Sequence, residues 1–325
     1  MKHILITGMN SYIGNAIERY LMEYNGAQGR ELYRVDKISL REDSWMQASF
    51  GRYDAILHVA GIAHADIGKV SEEEKKRYYQ VNRDLTAAVA EKAAAEGVSQ
   101  FIFLSSVIVY GDSARVGEQK HITAHTKPQP ANFYGDSKWQ AEQKLCTQIE
   151  QTSGKQITES GKLSAKQQTV SGQKTAGKMQ LAIVRPPMIY GKGSKGNFPL
   201  LIKMAKVTPV FPNIENHRSM LYIENLGEFL RLLIESGEGG TFFPQNAEYV
   251  TTAQMVQAIG EAMGKKIFLL GMLNPFVKLA SKIPGRIGNM TNKAFGSLTI
   301  EQGLSTKQID GYQIFSLEES IKRSL

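Results

Sequence analysis

The sequence predicts an α/β protein built on a doubly wound parallel sheet, with a smaller C-terminal α+β lobe. Three observations support this fold class. Short apolar runs alternate with helical patterns through the first half of the 325 residues, as in parallel sheets wrapped by helices. A glycine-containing turn follows the first apolar run, and a tyrosine and a lysine four residues apart share one face of a predicted helix.

The apolar runs predict strands at Ile4–Thr7, Leu32–Asp36 (running on to Leu40 in one version), Ala55–Val59, Phe101–Ser105 and Leu181–Arg185. Helical patterns follow at residues 13–24, 72–96, 134–149 and 221–235. The second helix has the clearest signals, because Ser71 and Glu74 form a capping box and Gly97 stands at its end. Its many alanines favour two interpretations equally, a contact between two copies in a homodimer or simple packing on the sheet.

Composition restricts the class of protein. The single cysteine, Cys146, rules out an intramolecular disulfide and suits a reducing compartment. The N-terminal apolar run is too short for a signal peptide, and no stretch reaches the roughly 20 apolar residues that span a bilayer. We therefore expect a cytoplasmic protein. The net charge of +8 comes without any nucleic-acid-binding signature, and no metal site or nucleic-acid partner is predicted.

Two segments differ from the rest. Residues 151–180 are rich in Gln, Lys, Ser, Thr and Gly, and they predict a mobile polar insertion. The apolar stretch that contains Ile267, Phe276, Leu279 and Ile287 is interpreted as core of the C-terminal lobe, and contact with a membrane surface or a lipid-linked partner is the less favoured alternative. The predicted dinucleotide-binding domain comprises residues 1–185 with about 219–240, and the substrate lobe comprises 186–218 and 241–325.

The turn from Thr7 to Gly14 opens the first helix directly after the first strand. Glycines in this position permit a tight turn and the close approach of a pyrophosphate, which the helix N-terminus stabilises. The turn therefore predicts a Rossmann-type site for NAD or NADP. Ser11 replaces the usual middle glycine, so we expect the backbone there to lie slightly further from the phosphates.

Asp36 ends the second strand and can accept hydrogen bonds from an adenine-ribose diol, which favours NAD over NADP. Arg34, Lys37 and Arg41 lie nearby and can bind a 2′-phosphate, so NADP remains open. At the end of the third strand, the small residues Ala60 and Gly61 leave room for a cofactor. There we expect His58 to be packed rather than catalytic.

Further polar residues extend this region. His64 is a candidate for approaching the substrate. Asn82 either holds active-site backbone or water, or is an ordinary surface residue.

Tyr134 and Lys138 carry the chemistry. A phenol has an ordinary pKa near 10 and is a poor base at neutral pH. A neighbouring ammonium favours the phenolate, so we expect Lys138 to lower the pKa of Tyr134. Tyr134 can then exchange a proton with a substrate hydroxyl or carbonyl while a cofactor exchanges hydride with the adjacent carbon.

The chain resembles the extended short-chain dehydrogenase/reductases of the nucleotide-sugar epimerase and dehydratase group. The matching motifs run nearly end to end, and they are Thr7-Gly8…Gly14, His58-Val59-Ala60-Gly61, Leu104-Ser105-Ser106-Val107-Ile108-Val109-Tyr110-Gly111, Tyr134…Lys138, Arg185-Pro186-Pro187-Met188-Ile189-Tyr190-Gly191 and Arg218-Ser219-Met220-Leu221-Tyr222-Ile223. The resemblance implies that Tyr134 is the acid/base and that Lys138 tunes it and binds the nicotinamide ribose. It also selects Ser106 over Ser105 as the residue that hydrogen-bonds the reacting oxygen.

One departure from the family pattern narrows the reaction. Family members that eliminate water carry Asp-Glu after this serine, whereas this chain has Val107 and Ile108, which can neither donate nor accept a proton. A 4,6-dehydratase is therefore not expected. A 4-epimerase and a 4-keto-6-deoxy sugar reductase, each acting at carbon 4 of a UDP-hexose or UDP-N-acetylhexosamine for bacterial surface polysaccharide, both remain open. A non-catalytic NAD(P)-binding sensor is the alternative from a different class.

The predicted site residues follow from these arguments. Those expected to bind substrate are Ser106, Tyr134, Asn197 and Arg218, the last through a nucleotide diphosphate. Those expected to bind the cofactor are Gly8, Asn10, Ser11, Tyr12, Ile13, Gly14, Asp36, Arg41, Ala60, Gly61, Asn82, Lys138 and Pro186.

Overall fold

The computed structural model describes residues 1–63, 70–152, 178–307 and 309–325. His64 and most of the polar segment predicted as an insertion lie outside these residues. The strands are β1 (Lys2–Thr7), β2 (Tyr33–Ile38), β3 (Ala55–His58), β4 (Gln100–Leu104), β5 (His121–Ile122), β6 (Gln180–Val184), β7 (Met188–Tyr190), β8 (Val210–Pro212), β9 (Met220–Tyr222), β10 (Gly240–Phe242), β11 (Phe268–Leu270) and β12 (Thr299–Ile300). The α-helices are α1 (Tyr12–Gln28), α2 (Glu72–Tyr79), α3 (Thr86–Ala95), α4 (Phe133–Thr152), α5 (Phe198–Val207), α6 (Ile223–Ser236), α7 (Thr252–Ala262), α8 (Asn274–Ala280), α9 (Arg286–Phe295), α10 (Gln302–Thr306) and α11 (Leu317–Ser324).

A six-stranded parallel sheet forms the centre, in the order β10-β6-β4-β3-β1-β2. The predicted fold class is confirmed. The chain adds β2 on one side of β1 and β3 on the other, so the topological switch point lies between β1 and β3. Ligands of open parallel sheets bind outside the carboxyl ends of the strands at such a point.

Side chains of the sheet pack on both faces. Ile4 and Ile6 belong to one buried cluster, together with residues of α1 and α6. Leu5 points to the opposite face and packs in a second cluster with Ala90 and Ala93 of α3. Burial on both faces explains why the strands read as nearly continuous apolar runs. It also supports the interpretation that the alanines of α3 pack against the sheet.

The predicted helix at 72–96 is interrupted, and this prediction was wrong in one respect. Its start has the capping box of Ser71 and Glu74, as expected, and Gly97 takes the left-handed conformation at φ +78°. Between α2 and α3, however, a π-helical turn runs from Gln80 to Leu85. Such turns widen the helix by one residue and often occur at functional sites.

Several boundaries also differ from the prediction, and α1 continues four residues beyond its predicted end, to Gln28. The second strand ends at Ile38 and does not reach Leu40. The helix predicted from Leu221 begins at Ile223, because Leu221 pairs in β9 with Ile189 of β7.

Short two-stranded pairs build the C-terminal part, where β7 pairs with β9, β8 with β11 and β5 with β12. The expectation that the apolar stretch near residues 267–287 forms core was wrong for most of it. Ile267 is buried, but Phe276, Leu279 and Ile287 are exposed. Among the residues that the structure describes, no helix has the length and apolar character needed to cross a bilayer.

Candidate active site

The glycine turn lies at the switch point of the sheet. Gly8 has φ +92°, a region that L side chains rarely adopt, and a Cβ there would lie 3.2 Å from the backbone of Ala60. Gly8 therefore lets the ends of β1 and β3 approach each other. Ser11 has φ −76°, so its position does not require glycine. Its Oγ accepts a hydrogen bond from the Gly14 amide at 2.8 Å and caps α1.

The first turn of α1 fits a dinucleotide phosphate. Asn15 donates its amide to the Ser11 carbonyl, and the Gly14 amide is capped, which leaves the amides of Tyr12 and Ile13 for a ligand. No acidic side chain stands in this turn to repel an anion. Asn10 is exposed in the turn just before it. A helix N-terminus with free amides is a favourable site for a pyrophosphate.

The Tyr12 hydroxyl lies at the back of this turn. It is buried and has no hydrogen-bond partner among the described residues. Burial raises the pKa of Tyr12 to about 12, so the phenol is neutral. A Cβ added to Gly191 would lie 3.1 Å from this hydroxyl, which shows how closely the loop after β7 approaches α1.

Asn82 holds the backbone that follows β3. It is fully buried within the π-helical turn. Its side-chain amide accepts from the Ile62 amide at 2.8 Å and donates to the Ile62 carbonyl and to Ser137 Oγ, both at 3.0 Å. Asn82 thus holds the backbone at Ile62, and its role in an active site stays a prediction. A Cβ on Gly61 would lie 3.1 Å from Asn82 Oδ1 and 3.3 Å from Lys138 Nζ, so glycine leaves room for both.

Two adjacent serines after β4 have different surroundings. Ser105 is buried and donates its hydroxyl to the Glu142 carboxylate. Ser106 is half-buried and precedes a 3₁₀ turn, where its Oγ accepts only the weak 3.3 Å contact from the Ile108 amide. Ser106 thus keeps a hydroxyl available for a ligand, which agrees with its selection over Ser105.

Helix α4 brings Tyr134 and Lys138 to the same edge of the sheet. A Cβ on Gly135 would lie 2.7 Å from the Ile108 carbonyl, so the start of α4 abuts the turn that Ser106 begins. The Lys138 ammonium donates to the Leu104 carbonyl at 3.0 Å, at the carboxyl end of β4. These contacts gather the predicted serine, tyrosine and lysine around the end of one central strand.

The electrostatics of this pair differ from the prediction. Burial raises the pKa of Tyr134 to about 12, and the nearby Tyr78 phenol adds to the increase; the two rings meet edge to face at 6.2 Å. Burial also lowers the pKa of Lys138 to about 8, with Glu142 opposing the change. The expectation that Lys138 lowers the pKa of Tyr134 is therefore wrong for the chain alone, because desolvation of the phenolate, together with Tyr78, raises that pKa.

A buried ion pair fixes the floor of the site. Arg185, directly after β6, donates from Nε to both carboxylate oxygens of Glu142 at 3.1 Å, and its Nη1 donates to the Tyr110 hydroxyl at 2.6 Å. Glu142 is on α4, two turns beyond Tyr134, so the pair locks this helix to the sheet. Pro186, the next residue, is buried and accepts from the Val107 amide at 3.1 Å. Removing one partner of such a pair leaves an uncompensated buried charge.

His58 is packed, as predicted. It is fully buried, and its two ring nitrogens are hydrogen-bonded to the hydroxyls of Thr7 (2.9 Å) and Thr86 (3.0 Å). Burial, with a further contribution from the Lys138 ammonium, lowers the pKa of His58 to about 3. The imidazole is therefore neutral, and it joins β1, β3 and α3 without titrating near neutral pH.

Asp36 lines a cavity of about 400 Å³ beside β2. Its carboxylate accepts hydrogen bonds from Arg52 Nη2 at 3.0 Å and from the Tyr53 hydroxyl at 2.9 Å. Lys37 is paired with Glu18 at 2.5 Å. Arg41 is exposed. Arg52, which the sequence analysis did not single out, is thus the cation beside Asp36, and the role of Asp36 toward a ribose stays a prediction.

The predicted substrate residues Asn197 and Arg218 line one cavity of about 180 Å³. Asn197 precedes α5, and its side chain makes no capping hydrogen bond to that helix. Arg218 Nη1 donates to the carbonyls of Lys293 (3.0 Å) and Ala294 (3.2 Å) at the end of α9. Arg218 has no ion-pair partner among the described residues, so its charge remains available to an anion. Burial lowers its pKa, but an arginine stays charged.

Sheet and site together define the class of short-chain dehydrogenase/reductases, with a dinucleotide turn at the switch point and Ser, Tyr and Lys at the end of a central strand. A model of the NAD dependent epimerase/dehydratase family matches residues 4–243, and the chain belongs to this family. The family assignment confirms the predicted NAD cofactor.

Individual proteins extend the likeness to nearly the whole chain. The UDP-glucose 4-epimerase of Vibrio cholerae is 25% identical over 99% of this chain and 94% of its own length. The N-acetyl-alpha-D-glucosaminyl-diphospho-ditrans,octacis-undecaprenol 4-epimerase of Escherichia coli O157:H7 is 25% identical over 97% of this chain and 89% of its own length. Among solved structures, UDP-glucuronic acid 4-epimerase from Bacillus cereus has a TM-score of 0.67, at 15% identity over 99% of this chain and 95% of that one.

Three residues that support the site were not predicted from the sequence. Ser137 contacts Asn82 and Arg52 contacts Asp36, whereas Glu142 holds Ser105 and Arg185. Glu142 had a detectable signal, since its spacing of four and eight from Lys138 and Tyr134 puts all three on one helix face. Arg52 lies in an irregular segment 16 residues from Asp36, and no local pattern joins these two positions.

Proposed function

We propose that this chain is an NAD-dependent 4-epimerase that acts on a UDP-sugar, either a UDP-hexose or a UDP-N-acetylhexosamine. The observation that supports the proposal is that Lys138 donates to the Leu104 carbonyl at the end of β4, while the start of α4, next to Tyr134, packs on the turn that follows Ser106. The two relatives that align with nearly the full chain are both 4-epimerases by name, which supports the same reaction. Cytoplasmic action, a homodimer and a role in bacterial surface polysaccharide belong to the same proposal.

The roles follow from the protonation states. At neutral pH the Tyr134 phenol carries its proton, since its pKa is about 12, and the Lys138 amine is mostly charged, since its pKa is about 8. Tyr134 exchanges its proton with the oxygen on carbon 4, and Ser106 hydrogen-bonds the same oxygen. Bound NAD supplies hydride exchange with that carbon. Lys138 keeps positive charge beside the phenol as the proton leaves it.

The phosphates of NAD would lie against the amides of Tyr12 and Ile13, where no acidic side chain competes. The close packing at Gly8 and Gly61, which no side chain can enter, fits the passage of a dinucleotide past the strand ends. Asp36, with Arg52 beside it, would hold the adenosine ribose.

The substrate diphosphate would bind at Arg218, in the cavity that Asn197 shares. Nη1 of Arg218 is engaged by α9, and a planar guanidinium retains further donors for two phosphate oxygens. The proposed division into a domain of residues 1–185 with about 219–240 and a lobe of 186–218 with 241–325 puts the lining of this cavity, apart from Met220, in the lobe and the glycine turn in the domain.

Elimination of water is not part of the proposal. Dehydration needs an acid and a base after Ser106, whereas Val107 is buried and apolar and Ile108 has no titratable group. We therefore expect no 4-keto-6-deoxy product from a UDP-sugar.

Incubation with three substrates tests the proposal, using UDP-glucose, UDP-N-acetylglucosamine and a 4-keto-6-deoxy UDP-sugar, each with and without added NADPH. We expect interconversion of 4-epimers without net consumption of coenzyme. Stoichiometric NADPH oxidation with the keto sugar alone would instead establish a 4-keto reductase. Binding of NAD without any turnover, unchanged in a Tyr134→Phe variant, would establish the sensor alternative.

A further inference from the structure

An exposed apolar surface covers the hairpin formed by residues 271–295, which comprises a 3₁₀ turn (Gly271–Leu273), α8 and α9. Phe276 and Leu279 are 69% and 66% exposed, and their spacing of three residues puts them on one face of α8. Met272, Ile283, Ile287 and Met290 are also large, apolar and exposed. No residue of α8 is buried. Large exposed apolar patches of this kind mark interaction surfaces.

The segment that contains this surface carries charge of a single sign. From Ala262 to Ile300 the chain contains six lysines or arginines and no aspartate or glutamate. The basic residues in this segment are Lys265, Lys266, Lys278, Lys282, Arg286 and Lys293. A segment of about an eighth of the chain therefore carries a formal charge of +6, compared with +8 for the whole protein.

The hairpin is fixed to the protein by polar contacts that leave its apolar side chains outside. A Cβ on Gly288 would lie 2.1 Å from the Ile283 carbonyl, so glycine lets α9 pack directly against the loop that follows α8. Asn292 accepts from the Val116 amide and donates to the Ser281 carbonyl, both at 3.0 Å. Val277 packs against the core. The exposed face is therefore a defined surface of the fold.

We propose that this hairpin docks the protein onto the surface of an anionic lipid bilayer. Apolar side chains on short helices, surrounded by lysine and arginine, are the pattern of segments that lie in the membrane interface, with the apolar face among the acyl chains and the basic groups near the headgroups. The positive charge of the hairpin favours an anionic bilayer over a second copy of the chain as the partner of this surface. In a symmetric contact between two copies the same patch faces itself, so the four positive charges of the hairpin would meet four.

Docking places the candidate substrate cavity beside the bilayer. Met290 of helix α9 is exposed on the proposed docking surface. Met290 and Lys293 of the same helix also line that cavity. Arg218 is hydrogen-bonded to the end of the same helix. A bilayer against the hairpin would therefore lie within one helix of the residues proposed to hold the sugar diphosphate.

Flotation of the purified full-length chain with lipid vesicles tests the proposal. We expect the protein to float with phosphatidylcholine vesicles that contain phosphatidylglycerol, and much less with phosphatidylcholine alone. High salt should weaken the association, because exposed charges are screened. The double variant Phe276→Ser with Leu279→Ser should reduce the partition coefficient by roughly tenfold or more, since it removes inserted apolar area. Lys278→Gln with Lys282→Gln should reduce the preference for phosphatidylglycerol.

The matched control is Met22→Ser with Met46→Ser, which removes two half-exposed methionines outside the hairpin and should float like the original chain. Light scattering on the same samples reports oligomeric state, and circular dichroism reports folding. Absence of flotation with phosphatidylglycerol, or hairpin variants that float as well as the original, would overturn the proposal. The proposal would also be overturned if the original chain bound no vesicles and formed a dimer that the Phe276 and Leu279 variant did not form. That result would assign the exposed surface of the hairpin to a protein partner.

Discussion

The ammonium of Lys138 donates a hydrogen bond to the main-chain carbonyl of Leu104 at 3.0 Å. This contact joins α4 to the carboxyl end of β4 and holds the lysine beneath the candidate active site. The ammonium is buried there, so its charge is costly, and burial lowers the pKa of Lys138 to about 8 from an ordinary 10.5. Stability must then depend on pH through this residue.

Replacing Lys138 with methionine tests that dependence. The unfolded chain keeps the lysine proton up to pH 10.5 and the folded chain releases it near pH 8, so between these values the unfolded state binds more protons and stability rises with pH. We expect the free energy of unfolding of the original chain, relative to Lys138→Met, to increase by about 3 kcal/mol from pH 7.5 to 10.5. Urea denaturation across this range measures it, and a constant difference would contradict the buried charge.

Tyr134→Phe removes the proposed proton-transfer group and keeps the ring that packs against Tyr78. We expect kcat for 4-epimerisation to fall by about 10² to 10⁴-fold, the usual contribution of a positioned acid/base, while NAD binding measured by fluorescence titration is retained. Tyr79→Phe is the matched control, because that hydroxyl donates to Asp136 at 2.7 Å. Equal kcat values for the two variants would remove Tyr134 from the mechanism.

Ser105→Ala and Ser106→Ala should have opposite effects. Ser106→Ala loses a hydrogen bond to the reacting oxygen, so we expect kcat to fall by about 10- to 100-fold with little change in stability. Ser105→Ala deprives the buried Glu142 carboxylate of a donor, so we expect the free energy of unfolding to fall by about 1–3 kcal/mol with kcat largely kept. Steady-state kinetics and urea denaturation of both variants separate the roles, and the reverse pattern would assign catalysis to Ser105.

Arg218→Ala should raise the KM for the UDP-sugar by about 10- to 100-fold, because a charged hydrogen bond to the diphosphate is lost, and should leave NAD binding intact. Arg218→Lys should recover only part of the affinity, since an ammonium cannot form the two parallel bonds of a guanidinium. The exposed Arg30→Ala serves as control. A lower Tm with unchanged KM would show that Arg218 only holds the end of α9.

Local sequence rules predicted much of this fold. The five predicted strands are present to within two residues at each end, apart from the extension of the second to Leu40. Strands could be predicted because apolar runs and glycine turns depend only on residues that are neighbours in the sequence. That Tyr134 and Lys138 share one face of a helix likewise follows from their spacing of four residues and helical periodicity. Contacts between residues far apart in the sequence were not predicted. An example is the π-helical turn at Asn82, whose side chain binds the backbone of Ile62, 20 residues earlier.

The order of residues along the chain indicated the groups that we propose to carry the chemistry, namely a glycine turn after the first strand and a phenol and an amine on one helical face. Tertiary structure decided how those groups behave. Burial raised the pKa of Tyr134, whereas the sequence predicted a decrease. Glu142 accepts a hydrogen bond from Ser105, so the hydroxyl of Ser106 remains available. Phe276 is exposed to solvent, whereas it was predicted to lie in the core. The physical reason is that periodicity fixes the direction of a side chain on its own helix or strand, whereas solvation depends on what the rest of the chain brings against it.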